Sequence, residues 1–350
     1  MTPKTVLFVG LGGAGQRHLR ILRARLPDAR FMALRRRGVT PLLNPDFSVS
    51  EGRTLEEVYG IERMNTLEAG LAQRPDLVVI STPSSLHLES MMAAARYGAG
   101  ILVEKPWSHT LAGFDAFRRA VEDGGGAFRI SFQRRFHPFV ARVRELVTGG
   151  ALGRIVSATF IVGSYVPSWH PYEDWHGLYA VRPELGGGVL LTEIHEIDLA
   201  HWFFGVPERV FCVGGNFGPE PLAVEDTAQL TLDYGAFSVQ LSLCFMQKKP
   251  RRGLEIAGTL GHLSWDADGN RTIHTHYASG RREETADPAF VNDSMFEAQA
   301  DAMLGNLSPL GSEEALKAAW VSQAVVAAAK RSMSEKRAVA IPALFSEVLQ

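Results

Sequence analysis

The sequence predicts an α/β N-terminal domain with a doubly wound parallel sheet, followed by an α+β domain with a large, mostly antiparallel open sheet. Three observations support this fold. A glycine-rich turn joins a strand to a helix near the N-terminus, strands and helices then alternate, and strand-like runs at hairpin spacing fill much of the second half. Because 350 residues exceed what one core usually holds, we expect two domains, at 1–126 and 127–350.

The composition excludes several classes of function. The net charge of -2 gives no electrostatic reason to expect nucleic acid or an anionic membrane as a partner. No apolar run approaches the roughly 18 residues that span a bilayer. Cys212 and Cys244 lie far apart without metal-ligand spacing, so we expect no metal site and two thiols in a reducing compartment. Only Met1–Lys4 precede the first strand, which leaves no room for a signal peptide, and we expect a cytoplasmic protein.

The first strand, Thr5–Val9, runs directly into a Gly-x-Gly-x-x-Gly turn, and apolar residues at helical spacing follow. In this strand–turn–helix context the pattern predicts a Rossmann dinucleotide-binding site. Gly10 permits the tight turn, Gly12 lets the backbone approach a pyrophosphate, and Gly15 lets the helix pack close to the strand. The pyrophosphate would lie at the positive N-terminus of that helix. The residues expected to contact it are Gly10, Gly12, Gly13, Ala14 and Gly15.

Arginines at the end of the second strand bear on the choice of cofactor. This strand, Arg30–Leu34, is followed by Arg35, Arg36 and Arg37, and no acidic residue stands there. An acidic residue at this position usually holds the ribose 2′-hydroxyl of NAD, whereas arginine accommodates the 2′-phosphate of NADP. We expect Arg35 and Arg36 to favour NADP(H), with NAD(H) still possible. The alternative is a solvated basic loop.

The next two strands bring further polar residues to the same edge of the sheet. Pro75–Ile80 and Ile101–Val103 are predicted as buried strands, with a helix over Glu89–Tyr97 between them. In a parallel sheet, ligands bind at the carboxyl ends of the strands. The residues expected to line the cofactor site there are Ser81, Thr82, Pro83, His87, Glu104 and Lys105.

A strand that ends in Glu104-Lys105-Pro106, after the glycine turn and Thr82-Pro83, resembles the Gfo/Idh/MocA oxidoreductases, a family named for glucose–fructose oxidoreductase and inositol dehydrogenase. The resemblance continues in the segments 134–138, 186–191 and 194–198, and in Trp202 and Gly205. It implies an NAD(P)-dependent enzyme that moves a hydride to or from a hydroxyl or keto carbon of a sugar, sugar derivative or cyclitol. It also implies a homodimer or homotetramer formed through the open sheet.

The resemblance also assigns the chemistry. Lys105 would lie beside the nicotinamide and the substrate hydroxyl, and His195 would act as the acid/base, a role that imidazole suits because its ordinary pKa of ~6.5 lies near working pH. Relatives often carry an Asp one helical turn before this histidine, where this chain has Leu191 or, with one residue missing, Thr192. The candidate replacement carboxylates are Glu193 and Asp198, and the remaining alternative is that the role is absent.

The segment 165–176 is dense in aromatic and polar residues, which suits a sugar-facing loop, an aromatic lid or an oligomer contact. From it we expect Tyr165 and Trp175 to contact the substrate, together with His195 and Arg135. Arg135 would meet a phosphate or carboxylate on the substrate, or else pair with an acidic neighbour. Further along, strand-like runs between 209 and 277 predict the antiparallel sheet, and helices are expected at 291–304 and 313–331.

Two other functions stay open. One is a nicotinamide-dependent glycoside hydrolase, which occurs in this family and oxidises and re-reduces its substrate without net redox change. The other is a non-catalytic NADP-sensing protein, which the missing Asp brings into consideration. Retention of Lys105 and His195 favours an enzyme over the sensor.

Overall fold

The structure is a computed structural model that describes residues 2–35, 40–170, 172–267, 272–287, 289–308 and 310–341. It contains two sheets, one parallel and one mostly antiparallel, as the sequence predicts. The first sheet consists of β1 (Thr5–Val9), β2 (Arg30–Leu34), β3 (Ile61–Met64), β4 (Leu77–Ile80), β5 (Gly100–Glu104) and β6 (Phe128–Ser131). The helices that accompany it are α1 (Gly13–Arg25), α2 (Leu55–Tyr59), α3 (Leu67–Leu71), α4 (His87–Arg96) and α5 (Phe114–Gly124).

The strand order in the first sheet is β3-β2-β1-β4-β5-β6, and each neighbouring pair is parallel. This is the strand order of a Rossmann fold, in which successive strands are added on one side of β1 and then, from β4 onward, on its other side. All four residues of β4 are buried, because helices cover both faces of a parallel sheet and leave no polar side. The switch point therefore forms a crevice at the carboxyl ends of β1 and β4.

The second sheet has nine strands, namely β7 (Ile155–Tyr165), β8 (Arg209–Gly215), β9 (Thr227–Asp233), β10 (Ser238–Cys244), β11 (Met246–Gly258), β12 (Gly261–Asp266), β13 (Thr272–Tyr277), β14 (Arg282–Ala286) and β15 (Val339–Ala340). Their order is β14-β13-β12-β11-β7-β10-β9-β8-β15, and β7 with β10 is the parallel pair. The other helices are α6 (Pro138–Thr148), α7 (Val189–Thr192), α8 (His195–Phe204), α9 (Asp293–Gly305) and α10 (Ser312–Glu335).

One face of the second sheet is buried and the other is open. On β7, Ala158, Phe160 and Val162 lie in the core, because side chains alternate between the two faces of a strand. The core face packs against α8 and α10. On the opposite face, Phe211 and Val213 of β8 are exposed.

The predicted domain boundary at 126/127 falls just before β6, yet β6 pairs with β5 and so extends the parallel sheet. The long helix α10 then packs against both β6 and β8, one strand from each sheet. Its first residue, Ser312, accepts the backbone N–H of Phe128 at 2.9 Å, which ties the two halves of the chain together. Within the described residues, no helix is both long and apolar enough to cross a membrane.

Candidate active site

A cavity of about 690 Å³ opens at the carboxyl ends of β1, β4 and β5, where a doubly wound sheet binds its ligands. The glycine turn and the ends of these strands form one wall. Residues from the second half of the chain form the facing wall. The lining residues on which the chemistry depends are Gly10, Gly12, Gly13, Ala14, Arg17, Arg35, Ser81, Thr82, Pro83, Glu104, Lys105, Gln133, Arg134, Thr192, Glu193, His195 and Arg252.

The glycine turn fits a dinucleotide. Gly10 has a φ of +94°, and a Cβ on Gly15 would lie 2.7 Å from the Gly10 carbonyl oxygen, so neither position accepts a side chain without strain. A Cβ on Gly12 would meet nothing within 4 Å, so the backbone there faces open space. Helix α1 has neither a side-chain cap nor an acidic residue in its first turn. Its N-terminal N–H groups and its dipole are therefore suited to a pyrophosphate.

Arg35 lies on the cavity wall at the end of β2. Its guanidinium donates to Glu56 Oε1 at 2.8 Å and to the Thr40 carbonyl oxygen at 2.8 Å, so it is held in place by an acidic neighbour. Arg35 also lines an adjoining cavity of about 390 Å³, together with Arg63. Arg36, the other arginine expected to contact the cofactor, lies outside the described residues.

The ends of β4 and β5 are joined behind the cavity. Ser81 Oγ donates to the Gly10 carbonyl oxygen at 2.8 Å, which fixes the glycine turn. His87 is buried, and its ring nitrogens lie 2.8 Å from the Pro106 carbonyl oxygen and 2.7 Å from that of Thr82. Burial lowers the pKa of His87. His87 is absent from the cavity lining, so the structure places it behind the site that it was expected to line.

Glu104 is a carboxylate at the cavity beside Lys105. His18 Nε2 lies 2.7 Å from Glu104 Oε1, and the backbone N–H of Lys105 donates to Oε2 at 3.2 Å. Desolvation acts to raise the pKa of Glu104, but the hydrogen bond and charge of His18 and the charge of Lys105 lower it overall. Glu104 thus carries a negative charge that fixes the backbone from which Lys105 projects.

Lys105 bridges the two walls of the cavity. Its Nζ donates to the backbone carbonyl oxygen of Thr192 at 2.6 Å, which connects the end of β5 to α7. The Thr192 side chain is buried, and its Oγ1 has no hydrogen-bond partner among the described residues. The residue that stands near the family's Asp therefore contacts Lys105 through its carbonyl group.

His195 is buried at the first residue of α8. Its Nε2 lies 3.3 Å from the amide nitrogen of Gln133, and its Nδ1 has no partner among the described residues. Desolvation, followed by the charges of Lys105, Arg134 and Arg252, lowers the pKa of His195 well below 6.5. The imidazole is therefore neutral at pH 7, which is the form that accepts a proton.

Glu193 lies at the cavity in a buried charge cluster. Arg252 donates to Glu193 Oε2 at 2.8 Å and to Glu196 Oε1 at 2.6 Å, and both Glu193 and Arg252 line the cavity. Desolvation raises the pKa of Glu196 against the opposing charge of Arg252, and Glu193 adds to the increase. Of the two carboxylates that could replace the family's Asp, Glu193 is thus the one on the cavity wall.

Asp198 and Arg135 lie away from the cavity, paired with each other. Arg135 donates to both carboxylate oxygens of Asp198, at 2.7 and 2.9 Å, and also to Glu314 at 3.1 Å. Of the two environments expected for Arg135, the structure shows the acidic neighbour. Because α8 begins at His195, later residues of the helix lie progressively farther from the cavity edge. The ion pair therefore joins α8 to the short 3₁₀ turn Gln133–Phe136 behind the site.

The aromatic segment 165–176 does reach the cavity, but through side chains other than those expected. Tyr165 ends β7 and Trp175 packs against the ring of His176, and neither is on the cavity lining. The residues of this segment on the wall are Trp169, His170, Tyr172 and Glu173. Tyr172 has its pKa raised to about 12, by burial and then by the charge of Glu173, so its hydroxyl is protonated at neutral pH.

Gln133 and Arg252 are cavity residues that the sequence did not single out. Gln133 precedes the arginine pair of its motif, and Arg252 lies in a strand among other basic residues. The sequence signal available for Gln133 is its place directly before the segment 134–138 of the resemblance. Arg252 carries no comparable signal, since it reaches Glu193 only after β11 has paired with β7.

Comparison with known proteins agrees with the geometry. A family model for the NAD-binding Rossmann fold of an oxidoreductase family matches residues 4–132, and one for the GFO/IDH/MocA C-terminal domain matches residues 140–264. The levoglucosan dehydrogenase of Pseudarthrobacter phenanthrenivorans is 26% identical over 72% of this chain and 70% of its own length. The 1,5-anhydro-D-fructose reductase of Ensifer adhaerens is 26% identical over 76% of this chain and 81% of its own.

Solved structures share the fold over nearly the whole chain. A levoglucosan dehydrogenase in complex with NADH and levoglucosan has a TM-score of 0.79 and 19% identity, covering 97% of this chain and 99% of that one. The myo-inositol 2-dehydrogenase of Lactobacillus plantarum has a TM-score of 0.76 and 18% identity, covering 97% and 100%. With the two family models, these findings show that the chain belongs to the Gfo/Idh/MocA family and is an NAD(P)-dependent oxidoreductase.

Proposed function

We propose that the enzyme moves a hydride between a nicotinamide cofactor and a hydroxyl or keto carbon of a sugar, sugar derivative or cyclitol. The observation that carries this proposal is a single cavity that joins the glycine turn to Lys105 and His195. The sugar class is supported by relatives that are named for levoglucosan, 1,5-anhydro-D-fructose and inositol. Trp169 and Tyr179 on the wall supply apolar faces for a sugar ring, and Glu193 supplies an acceptor for its hydroxyls.

The residues of the chain divide the work of proton transfer and positioning. The nicotinamide supplies hydride acceptance or donation when it is bound. Lys105, held by the Thr192 carbonyl group, would donate a hydrogen bond to the reacting oxygen of the substrate. His195, kept neutral by its surroundings, would take the proton that leaves this oxygen during oxidation and return it during reduction. The Glu193–Arg252 pair would hold a neighbouring hydroxyl.

We also propose NADP(H) as the preferred cofactor and the open face of the second sheet as a subunit contact. Support for NADP(H) comes from Arg35 and Arg63, which line adjoining space where the adenosine ribose would lie. Glu56 already accepts a hydrogen bond from the guanidinium of Arg35, so a 2′-phosphate would share this arginine with a carboxylate. Support for a homodimer or homotetramer comes from Phe211 and Val213, which are exposed on the open face of the sheet.

A turnover screen tests the reaction. The protein would be offered NADP⁺ and NAD⁺ with inositols, aldoses, anhydrosugars and sugar acids, and the reduced cofactors with ketosugars, while nicotinamide absorbance is followed. We expect turnover with higher kcat/KM for the NADP couple. His195→Ala and Lys105→Ala should lower kcat by about 10²- to 10⁴-fold, as is typical for loss of an acid/base group, while cofactor still binds.

Exposed residues provide matched controls. His262→Ala and Lys249→Ala remove the same side-chain types from exposed positions of the second sheet and should leave kcat unchanged. Wild-type turnover in the His195 and Lys105 variants would contradict the assignment of the site. Glycoside cleavage without a net absorbance change would instead indicate the hydrolase, and cofactor binding without any turnover would indicate the sensor.

A further inference from the structure

Arg17 extends a cationic side chain along the cavity wall toward the glycine turn. Helix α1 begins at Gly13, and Arg17 lies one turn later on nearly the same face. Because the Cα–Cβ bonds of a helix tilt toward its N-terminus, a long side chain at this position extends back over the first turn. Arg17 accordingly lines the cavity together with Gly12 and Gly13. The Gly-x-Gly-x-x-Gly pattern itself accounts only for backbone contacts to a pyrophosphate.

Two aromatic rings and a carboxylate hold the Arg17 guanidinium in place. Its central carbon lies 4.8 Å from the ring centroid of Phe47 and 4.7 Å from that of Phe296. Its Nε lies 3.1 Å from Asp293 Oδ1 on α9. Phe47 comes from the loop after β2, whereas Asp293 and Phe296 both belong to α9, so two separate parts of the chain meet at this side chain of α1. A guanidinium held in this way loses little conformational entropy when it binds an anion.

The local charge balance leaves a positive charge for an anion. Asp293 also accepts a hydrogen bond from Arg20 at 2.8 Å, so two guanidinium groups share one carboxylate. The other nearby carboxylate, Glu104, lies beside the cation of the neighbouring Lys105 and contacts His18. Burial acts to lower the pKa of Arg17, yet arginine stays protonated in proteins, so its charge persists at neutral pH. A pyrophosphate that entered the cavity would bring negative charge to this group.

We propose that Arg17 binds the pyrophosphate of the dinucleotide, adding a charged side-chain ligand to the backbone N–H groups of α1. The planar fork of the guanidinium suits two oxygens of a phosphate group. Phe47 and Phe296 fix its orientation, and Asp293 balances part of its charge before the cofactor binds. The inference rests on the proposed use of this cavity for a dinucleotide.

The experiment compares two arginines of the same helix. Arg17→Met keeps much of the length and the packing against the rings but removes the charge and the fork. Arg20→Met is the matched control, because Arg20 pairs with the same Asp293 but is absent from the cavity lining. By calorimetry we expect Arg17→Met to raise the Kd for NADPH and NADH by about 10- to 100-fold, as loss of charged hydrogen bonds implies. Arg20→Met should change the Kd by less than about threefold, as expected of a surface ion pair.

Ligand fragments separate a phosphate contact from a general disturbance. Competition by ADP should weaken in Arg17→Met, whereas competition by adenosine should not change. Arg17→Lys keeps the charge without the fork and should show an intermediate loss, and it remains informative if Arg17→Met fails to fold. Equal losses for ADP and adenosine, or an unchanged Kd in both Arg17 variants, would overturn the proposal. If the wild-type protein bound no dinucleotide, the proposed function would fall and this proposal with it.

Discussion

The protonation state of His195 depends on residues far from it in the sequence. Gln133 lies 3.3 Å from its Nε2, and Lys105, Arg134 and Arg252 surround it with positive charge. With the amide nitrogen toward Nε2, Gln133 donates to the one lone pair of the neutral ring, so it opposes protonation of His195 until the substrate hydroxyl group takes its place at Nε2. Gln133 would thus be a positioning residue that acts through His195.

Substitution of Gln133 should therefore move the pH profile. Gln133→Leu removes the donor, so the pKa of His195 should rise and the acid limb of kcat/KM for alcohol oxidation should shift to higher pH by roughly one unit, the effect expected for one hydrogen bond. Gln133→Glu places a carboxylate beside the ring and should shift the limb farther. The measurement is kcat/KM between pH 5 and 9, with cofactor Kd as a separate readout. A limb that stays in place in Gln133→Glu would contradict this role.

Single residues were predictable where a local pattern carried them. Glu104 and Lys105 follow directly from a buried strand that ends at the cofactor edge, so sequence placed them on the cavity wall. Residue type alone predicts Tyr165 and Trp175 as substrate contacts, whereas the irregular backbone of their segment turns other side chains toward the cavity. The Arg252–Glu193 contact could not be predicted from the sequence, because it forms only when β11 lies beside β7 in the right register.

At the scale of elements, the glycine turn makes two different demands on its glycines. Gly15 packs against the strands, where an added Cβ would collide with Ser81 Oγ and lie 2.7 Å from the Gly10 carbonyl oxygen. Gly12 faces the cavity, where an added Cβ would meet nothing within 4 Å. One glycine thus serves packing and the other leaves space for a ligand.

The two alanine substitutions should separate stability from binding. Gly15→Ala should lower the free energy of unfolding by about 1–3 kcal/mol, because the backbone of Gly10 cannot move aside without strain. Gly12→Ala should leave the melting temperature nearly unchanged and raise the Kd for the dinucleotide, since the methyl group occupies space that the pyrophosphate approaches. Thermal unfolding and calorimetry on both variants check this. A stable Gly15→Ala protein with normal binding would count against the packing argument.

Elements with strong apolar patterns were predictable, and weakly patterned ones were not. β9 lies within the region 209–277 where strand-like runs were predicted, and its inward residues are apolar throughout. β3 and β14 were missed, because β3 has two exposed charged residues in its four and β14 is largely polar at the edge of its sheet. The last helix was predicted from residue 313, whereas α10 begins one residue earlier, with Gly311 at its N-cap and Ser312 bonded to Phe128.

For the whole molecule, histidines that are neutral in the fold make stability depend on pH. Burial, followed by the charges of Arg135 and Lys317, lowers the pKa of His201 to about 4. The pKa values of His87 and His195 are also lowered, chiefly by desolvation. Below pH 6.5 the unfolded chain takes up protons that the folded chain does not, so these groups favour unfolding as the pH falls.

His201 should account for a measurable part of this acid sensitivity. The contribution of His201 to the free energy of unfolding is complete above pH 6.5 and is lost as the pH falls toward 4. The part lost between pH 7 and pH 5 is roughly 1–2 kcal/mol. In His201→Leu, the fall in melting temperature between pH 7 and pH 5 should be smaller than in the wild type. His262→Leu, at an exposed position, should retain the wild-type difference. If the melting temperature of His201→Leu fell as much as that of the wild type between pH 7 and pH 5, His201 would not be a source of the acid sensitivity.

The fold class was predictable from periodicity alone, whereas the meeting of the two halves of the chain was not. The helix α10 contacts β6 and β8, strands that the predicted boundary placed in one domain. Its alanine-rich sequence indicates a helix but contains no sign of which strands it covers. Contacts of this kind depend on the three-dimensional path of the chain, which no local pattern encodes.

Strand β11 lies between the candidate active site and a second cavity, because its residue Arg252 lines both. Arg252 contacts Glu193 and Glu196 on the inner side, and together with Arg251 and Gly253 it also lines a second cavity of about 270 Å³. Adjacent residues of a strand face opposite sides, so a molecule that bends the outer surface there moves the same peptide units that orient Arg252. A molecule bound in that second cavity would therefore act on the candidate active site through this one strand.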